Sequence, residues 1–187
     1  MILQLQNLNN YKNIILFDIE YDNSSLVQVA LLILGAKEPN MFEVRKSLNV
    51  YIKPNHLLSP FFVKYTNISD AYLRDNGMDL SGARTLVESV IFDIKPEETL
   101  LVGHGIDNDM RLLDTCKFPF SRFSNRCDTY KRAKKLLKRI NNLTLSDLAA
   151  EDGYCSFNEH NAYADTWALL HAFCVINRLE NNKNETF

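Results

Sequence analysis

The stretch NIILFDIEYDNSSLVQVALLIL, residues 13–34, decides how this chain folds. "NIILFDI" (13–19) opens with an apolar run of strand-favouring residues, and "SLVQVALLIL" (25–34) forms a second. Asp22-Asn23-Ser24 between them is a short polar turn. Two strands joined in this way begin an antiparallel meander, and "FEVRKSLNVYI" (42–52) alternates enough to add a third. Inside the first strand, Asp18 and Glu20 interrupt the apolar run. Successive side chains on a strand alternate faces, so the two carboxylates share a face about 6–7 Å apart. Ionised side by side at the edge of a core, they repel and lose hydration. Either a hard cation such as Mg²⁺ or Mn²⁺ offsets them, or Ile19 alone points inward and both acids reach into water at a fraying strand end.

Beyond the meander the pattern changes. Pro60 after Ser59 opens a helix. Ser69 caps a short one through Leu73, and Ser81 opens "GARTLVESVIFDI", apolar at Leu86, Val87, Val90, Ile91 and Ile94. "TLLVGHG" (99–105) reads as a buried strand, "NDMRLLDTC" as a helix beginning near Asp107, and "RFSNRC" as a short strand. Asp128 caps the basic segment "TYKRAKKLLKRI", and Thr144 with Asp147 makes a box-like start to "LSDLAAED". A last helix runs from about Asn161 to Asn177, before a polar tail (178–187) expected to fray. A strand meander followed by helices alternating with strands implies an α/β fold, a mixed sheet with helices on its faces.

The chain has 187 residues, 46% of them hydrophobic, enough for a sizeable core and the size of one domain, with its core over about 13–177. A formal charge of −2 excludes a protein that binds nucleic acid over its whole surface but permits a local basic groove. Cys116, Cys127, Cys155 and Cys174 form no CxxC pair, which favours reduced thiols over a metal site or disulfide framework. No stretch reaches the roughly 18 apolar residues of a membrane span, and "MILQLQNLNNYKN" lacks a signal-peptide core. These features together lead us to expect a soluble, cytoplasmic protein in a reducing compartment, with no membrane contact.

Two further segments carry acids. "LLVGHGIDNDMRLL" places Asp107 and Asp109 straight after a buried strand, where Asp107 suits a helix cap and Asp109 the helix dipole. In "EHNAYADTWALL", His160 precedes a helix and Asp165 lies within it, near the apolar stripe of Ala168 and Leu169. Ala162 and Ala164 leave room for a ligand or for close packing. Each segment alone also has an ordinary reading, as a solvated acid or a structural histidine.

Taken together, the segments resemble the DEDDh 3′–5′ exonucleases. This DnaQ-like group of the ribonuclease H-like superfamily contains the proofreading subunit of bacterial replicative polymerase, oligoribonuclease and ribonuclease T. The family's Asp-x-Glu is matched by Asp18 and Glu20. Its His-Asn-x-x-Phe-Asp is matched by "HGIDNDMRLL" through His104 and Asp109, and its His-x-Ala-x-x-Asp by "HNAYAD" through His160, Ala162 and Asp165. "YTNISDAYL", "CDTYKRAKKLL" and "LTLSDLAAEDG" look like softer family segments. The chain departs from the family at Tyr21-Asp22-Asn23, where Thr-Thr-Gly is usual, and at Gly105 and Asn108.

The resemblance implies a ribonuclease H-like, five-stranded mixed sheet, an antiparallel meander plus parallel strands, forming a single exonuclease domain. It implies hydrolysis of terminal phosphodiesters of single-stranded DNA or RNA, or of 3′ overhangs, with release of nucleoside 5′-monophosphates. Two Mg²⁺ or Mn²⁺ ions would be held by Asp18, Glu20, Asp109 and Asp165, with His160 as general base. Substrate contacts are expected from Ile19, Tyr21, Phe61, Phe62 and His104. The partner is a nucleic-acid 3′ end, and the family analogy also admits a homodimer or a polymerase or nuclease complex. The competing readings are a non-catalytic nucleic-acid or polymerase-binding module on the same fold, and a hydrolase of small nucleotides.

Overall fold

In the computed structural model, which describes residues 1–138, 143–155 and 160–184, the quoted stretch forms the antiparallel hairpin β2 (Asn13–Asp22) and β3 (Ser25–Glu38). Its two-residue loop, Asn23-Ser24, takes φ of 47° and 67°. Left-handed geometry at both loop positions matches the right-handed strand twist and is tolerated best by short polar residues. β4 (Met41–Tyr51) extends the meander on the far side of β3. β5 (Thr99–Gly103) then pairs parallel to β2, and β6 (Arg126–Asp128) parallel to β5.

The sheet has six strands rather than the expected five, in the order β1-β4-β3-β2-β5-β6. The additional strand, β1 (Ile2–Gln4), pairs antiparallel with Met41–Glu43. Three residues are too few to display a strand's two-residue period, so only the partner strand reveals it.

Helices cover both faces, which is why β2 and β3 read as almost unbroken apolar runs. On one face Ile15, Phe17 and Ile19 pack with Ala83, Val87 and Ile91 of α3 (Leu80–Ile91) and Met110 and Leu113 of α4 (Asp107–Thr115). On the other, Ile14 and Leu16 pack with Leu169, Leu170 and Phe173 of α7 (Ala162–Asn184). By alternation, Asp18 and Glu20 continue the α7 face.

Most helix starts follow local chemistry. Ser59 caps α1 (Pro60–Thr66), its Oγ accepting from Phe62 N at 3.2 Å. Ser69 caps α2 (Asp70–Asn76), Asp128 caps α5 (Thr129–Leu137), and Thr144 caps α6 (Leu145–Ala150). The last two residues expected in α5, 139 and 140, lie outside the described residues.

Three expectations are corrected. α3 starts earlier than Ser81, because Asp79 Oδ1 accepts from Gly82 N at 2.6 Å and takes the cap. Asp107 does not cap α4: it is the first helical residue, and its carboxylate pairs with Lys131 Nζ at 2.6 Å. The segment expected to fray continues α7 as far as Asn184. Its polar residues have partners: Asn177 exchanges two 2.9 Å hydrogen bonds with the backbone of Gln6, Asn7 donates to Asn181, and Arg178 meets Asp152 at 2.5 Å. Residues 185–187 of that segment lie outside the described residues. Among the described residues no helix is long and apolar enough to cross a membrane.

Candidate active site

Two chain segments meet at the end of β2. Asp18 and Glu20 project from that strand toward α7, and Asp165 lies in the first turn of α7. One carboxylate oxygen from each lies within 4.8 Å of the other two. The strand is paired through Glu20 and beyond, so its end does not fray; Ile19 faces the core on one side while the acids lie on the α7 side. Immediately after Glu20 the register slips, Glu20 pairing with Gln28 but Tyr21 with Leu26. A bulge at this point changes the strand's twist beside the acids.

The approach of α7 depends on Gln28, a fully buried polar residue in the apolar strand β3. Its Oε1 accepts from Ala162 N at 3.0 Å, while its Nε2 donates to Asn49 Oδ1 at 2.8 Å and to Asn161 Oδ1 at 3.3 Å. Asn161 in turn accepts from Tyr163 N and Ala164 N at 3.2 and 3.3 Å, capping the helix. Gln28 therefore sets where the first turn of α7, and with it Asp165, meets the sheet. Sequence reading passed over it, although a lone glutamine within "LVQVALLIL" was a signal.

Asp109 stands outside the close group of three, on the first turn of α4, near enough for its charge to act on Asp18 and Glu20. Every influence on these carboxyls raises them. Burial, then Asp165, Glu20 and Asp109, push Asp18 well above the carboxylate range. Burial, then Asp165 and Asp109, bring Glu20 to about 8. Burial, then Asp128, bring Asp109 to about 7. Carboxylates crowded in this way suit a hard divalent ion, whose charge would reverse each of these shifts. The donor set, all carboxylate oxygen, fits Mg²⁺ or Mn²⁺.

His160 sits two residues before α7 with φ of 61°. Its imidazole lies on the Tyr65 ring, centroids 3.7 Å apart and planes 26° from parallel. Tyr65 stacks in turn with Phe61, one helical turn earlier, at 5.5 Å and 16°. Phe61 is 75% exposed and Tyr65 53%. The end of α1 that carries Phe61 is tied to β2 by Asp22, which accepts from Ser59 N and Ser59 Oγ at 2.7 and 2.8 Å. Burial works against the Asp22 charge, but those bonds and His56 hold its carboxyl below the usual range.

The expected substrate contacts separate. Phe61 and Tyr21 are exposed. Phe62 is instead a core side chain, packed with Val27, Leu58, Ile68 and Leu73, because α1 turns that face onto the sheet. Ile19 is likewise core, 5% exposed. His104 serves as a strut: its Nδ1 is 2.9 Å from Thr129 Oγ1, whose hydroxyl donates to Gly103 O at 3.1 Å, and Tyr130 meets its ring edge-on. Burial lowers its pKa. Tyr65 and Asp128, unforeseen from sequence, both border the site. A cavity of about 690 Å³ lies elsewhere, between the N-terminal segment, α5 and α7. Its lining does not include the carboxylates, so cavity size is a poor guide to the chemistry here.

Residues 17–173 match the family model RNase_T, described as Exonuclease. E. coli exonuclease I in complex with an oligonucleotide superposes with a TM-score of 0.71 at 18% identity, over 93% of this chain and 43% of that one. The nuclease domain of 3′hExo, a DEDDh family member bound to rAMP, gives 0.69 at 13% identity over 91% and 93%. A 3′-exonuclease described for 3′-end specific recognition of histone mRNA stem-loop gives 0.68 at 13% identity over 91% and 83%. This chain thus spans less than half the length of exonuclease I. No curated protein matches it in sequence.

Proposed function

Because this chain belongs to the RNase_T family of exonucleases, with a ribonuclease H-like fold and the DEDDh set of residues, we propose that it shortens single-stranded DNA or RNA, or 3′ overhangs, from the 3′ end. The observation that carries this reading is the meeting of Asp18, Glu20 and Asp165 oxygens within 4.8 Å, with only burial and negative charge acting on Asp18 and Glu20. Two divalent ions, when bound, supply positive charge at the scissile phosphate and a water of lowered pKa. Asp18, Glu20 and Asp165 would hold them as one close carboxylate group, with Asp109 serving beside it. His160 accepts the proton of the attacking water, and a neutral imidazole is the form suited to that near pH 7. The product is a nucleoside 5′-monophosphate. Phe61 offers an exposed ring on which a base near the terminus can stack, an interaction that tolerates any base.

The test uses 5′-labelled single-stranded DNA and RNA with Mg²⁺ or Mn²⁺. A ladder shortening from the 3′ end is expected, abolished by EDTA and by His160→Ala, with nucleoside 5′-monophosphate in the supernatant. No shortening of any strand under these conditions overturns the proposal. Binding of strands without cleavage would indicate the idle binding module, and cleavage confined to dinucleotides the small-nucleotide hydrolase.

A further inference from the structure

The row of three rings, Phe61, Tyr65 and His160, asks more of Tyr65 than base binding. Tyr65 is more than half exposed, so burial of its ring in the core does not account for it. One of its neighbours is Phe61, four residues earlier on the same helical face. The other is the His160 imidazole, close and nearly parallel. The two partners differ in how they are held. α1 is fixed at its start by the Ser59 cap and the Asp22 bonds, at its core face by Phe62, and at its end by Asn67, whose N–H donates to Val63 O at 2.9 Å. His160 instead has a left-handed backbone that a β-carbon disfavours. Its side chain turns about two torsions with several staggered choices.

We propose that Tyr65 is a positioning residue for His160. Its ring face selects one imidazole orientation, so that the base of the reaction rests on a fixed helix rather than on its own backbone segment. This rests on the role given to His160 above. Tyr65 touches neither the phosphate nor the water; it acts through the histidine. Removing the ring spreads the imidazole over its other rotamers, three wells in χ1 and roughly two in χ2, and the productive fraction falls to about a sixth if these wells are comparably populated.

The experiment has two arms. In ¹H NMR of the full chain, the ring protons of His160, assigned by loss in His160→Gln, are expected upfield in the wild type from the Tyr65 ring current. They return to ordinary positions in Tyr65→Leu and stay upfield in Tyr65→Phe. His171, stacked on Tyr154 at 4.5 Å, is the internal control and does not move. In the nuclease assay, Tyr65→Leu lowers kcat about sixfold with KM within a factor of two, and Tyr65→Phe restores kcat. Tyr65→Gln, which keeps the helix and removes the ring, repeats the comparison should Tyr65→Leu not fold. His160 resonances that ignore the loss of the ring overturn the proposal, as does a raised KM with unchanged kcat, the signature of a substrate platform. If the wild type cuts nothing, the functional reading falls while the NMR arm still decides the stack. If it cuts and the NMR arm is negative, only this proposal falls.

Discussion

Two helices each bring an acid in their first turn near Asp18, and they are anchored very differently. The start of α7 is bound to the buried Gln28 through Ala162 N and Asn161, and Asp165 lies in the close group of three. The start of α4 has no side-chain cap. It follows Gly105, at φ of 71°, whose N–H reaches Asp128 Oδ1 at 3.1 Å, and its Asp107 makes an exposed ion pair with Lys131, with Arg111 and Arg126 adding their charge. Asp109 stands outside the group. The two helix starts therefore differ in their polar anchors: that of α7 is tied to a buried glutamine, whereas that of α4 lacks a side-chain cap and is held by the apolar packing of Ile106 and Met110. In the proposed two-ion site, Asp18, Glu20 and Asp165 would hold the tighter position and Asp109 would serve the other.

The sharpest way to break this contrast is to neutralise each acid in turn. Asp165→Asn should cut activity on the order of 10³-fold or more and abolish the tighter divalent binding seen by calorimetry. Asp109→Asn should lose comparable activity yet retain that tighter event. If both variants lose the same binding step, the two helix starts are equivalent after all.

A smaller effect should come from the anchor alone. Gln28→Ala leaves the buried Ala162 N without its partner, costing about 1–3 kcal/mol, while the exposed Asn49 Oδ1 can turn to water. It should also weaken divalent binding and activity about 10–100-fold through Asp165, as loss of an outer support does. Denaturant melts and calorimetry on one sample read both. A variant that loses stability but binds metal normally would show that Gln28 supports the fold and not the site.

The smallest effect is on stability against pH. Glu20 rises on folding from 4.5 to about 8, and Asp109 from 3.8 to about 7. Between those limits the folded chain binds more protons than the unfolded one, so stability falls as pH rises. The metal-free protein should therefore melt several degrees lower near pH 8 than near pH 5. Mg²⁺ should restore most of the difference at the higher pH and change little at the lower. Melting that rises with pH in EDTA would contradict the mutual crowding of the carboxylates.

Much of this was legible because it depends on short-range rules. The spacing of Asp18 and Glu20 put them on one face through strand alternation alone, and Ser59, Ser69, Asp128 and Thr144 announced their helices through side chains that reach backbone donors a turn away. The reading failed where an element depends on a remote partner. β1 exists because Met41–Glu43 offers it an edge, and α7 runs on because Asn177 and Asn181 meet the N-terminal segment. Phe61 and Phe62 are neighbours of the same type, and only the packing of α1 buries one and exposes the other. His104 looked like a motif residue ready for substrate, and Thr129 claimed it from a different strand–helix junction.

By itself the sequence determined the chemistry on offer: four acids and a histidine in three segments, carried on elements whose periods and caps are local properties. Tertiary structure alone decided their meeting. It brought Asp165 to Asp18 and Glu20 through a glutamine well over a hundred residues away, left Asp109 apart, and laid His160 on Tyr65. Proximity across a fold is set by how sheet faces and helices fill common space, and no window of neighbouring residues contains that information.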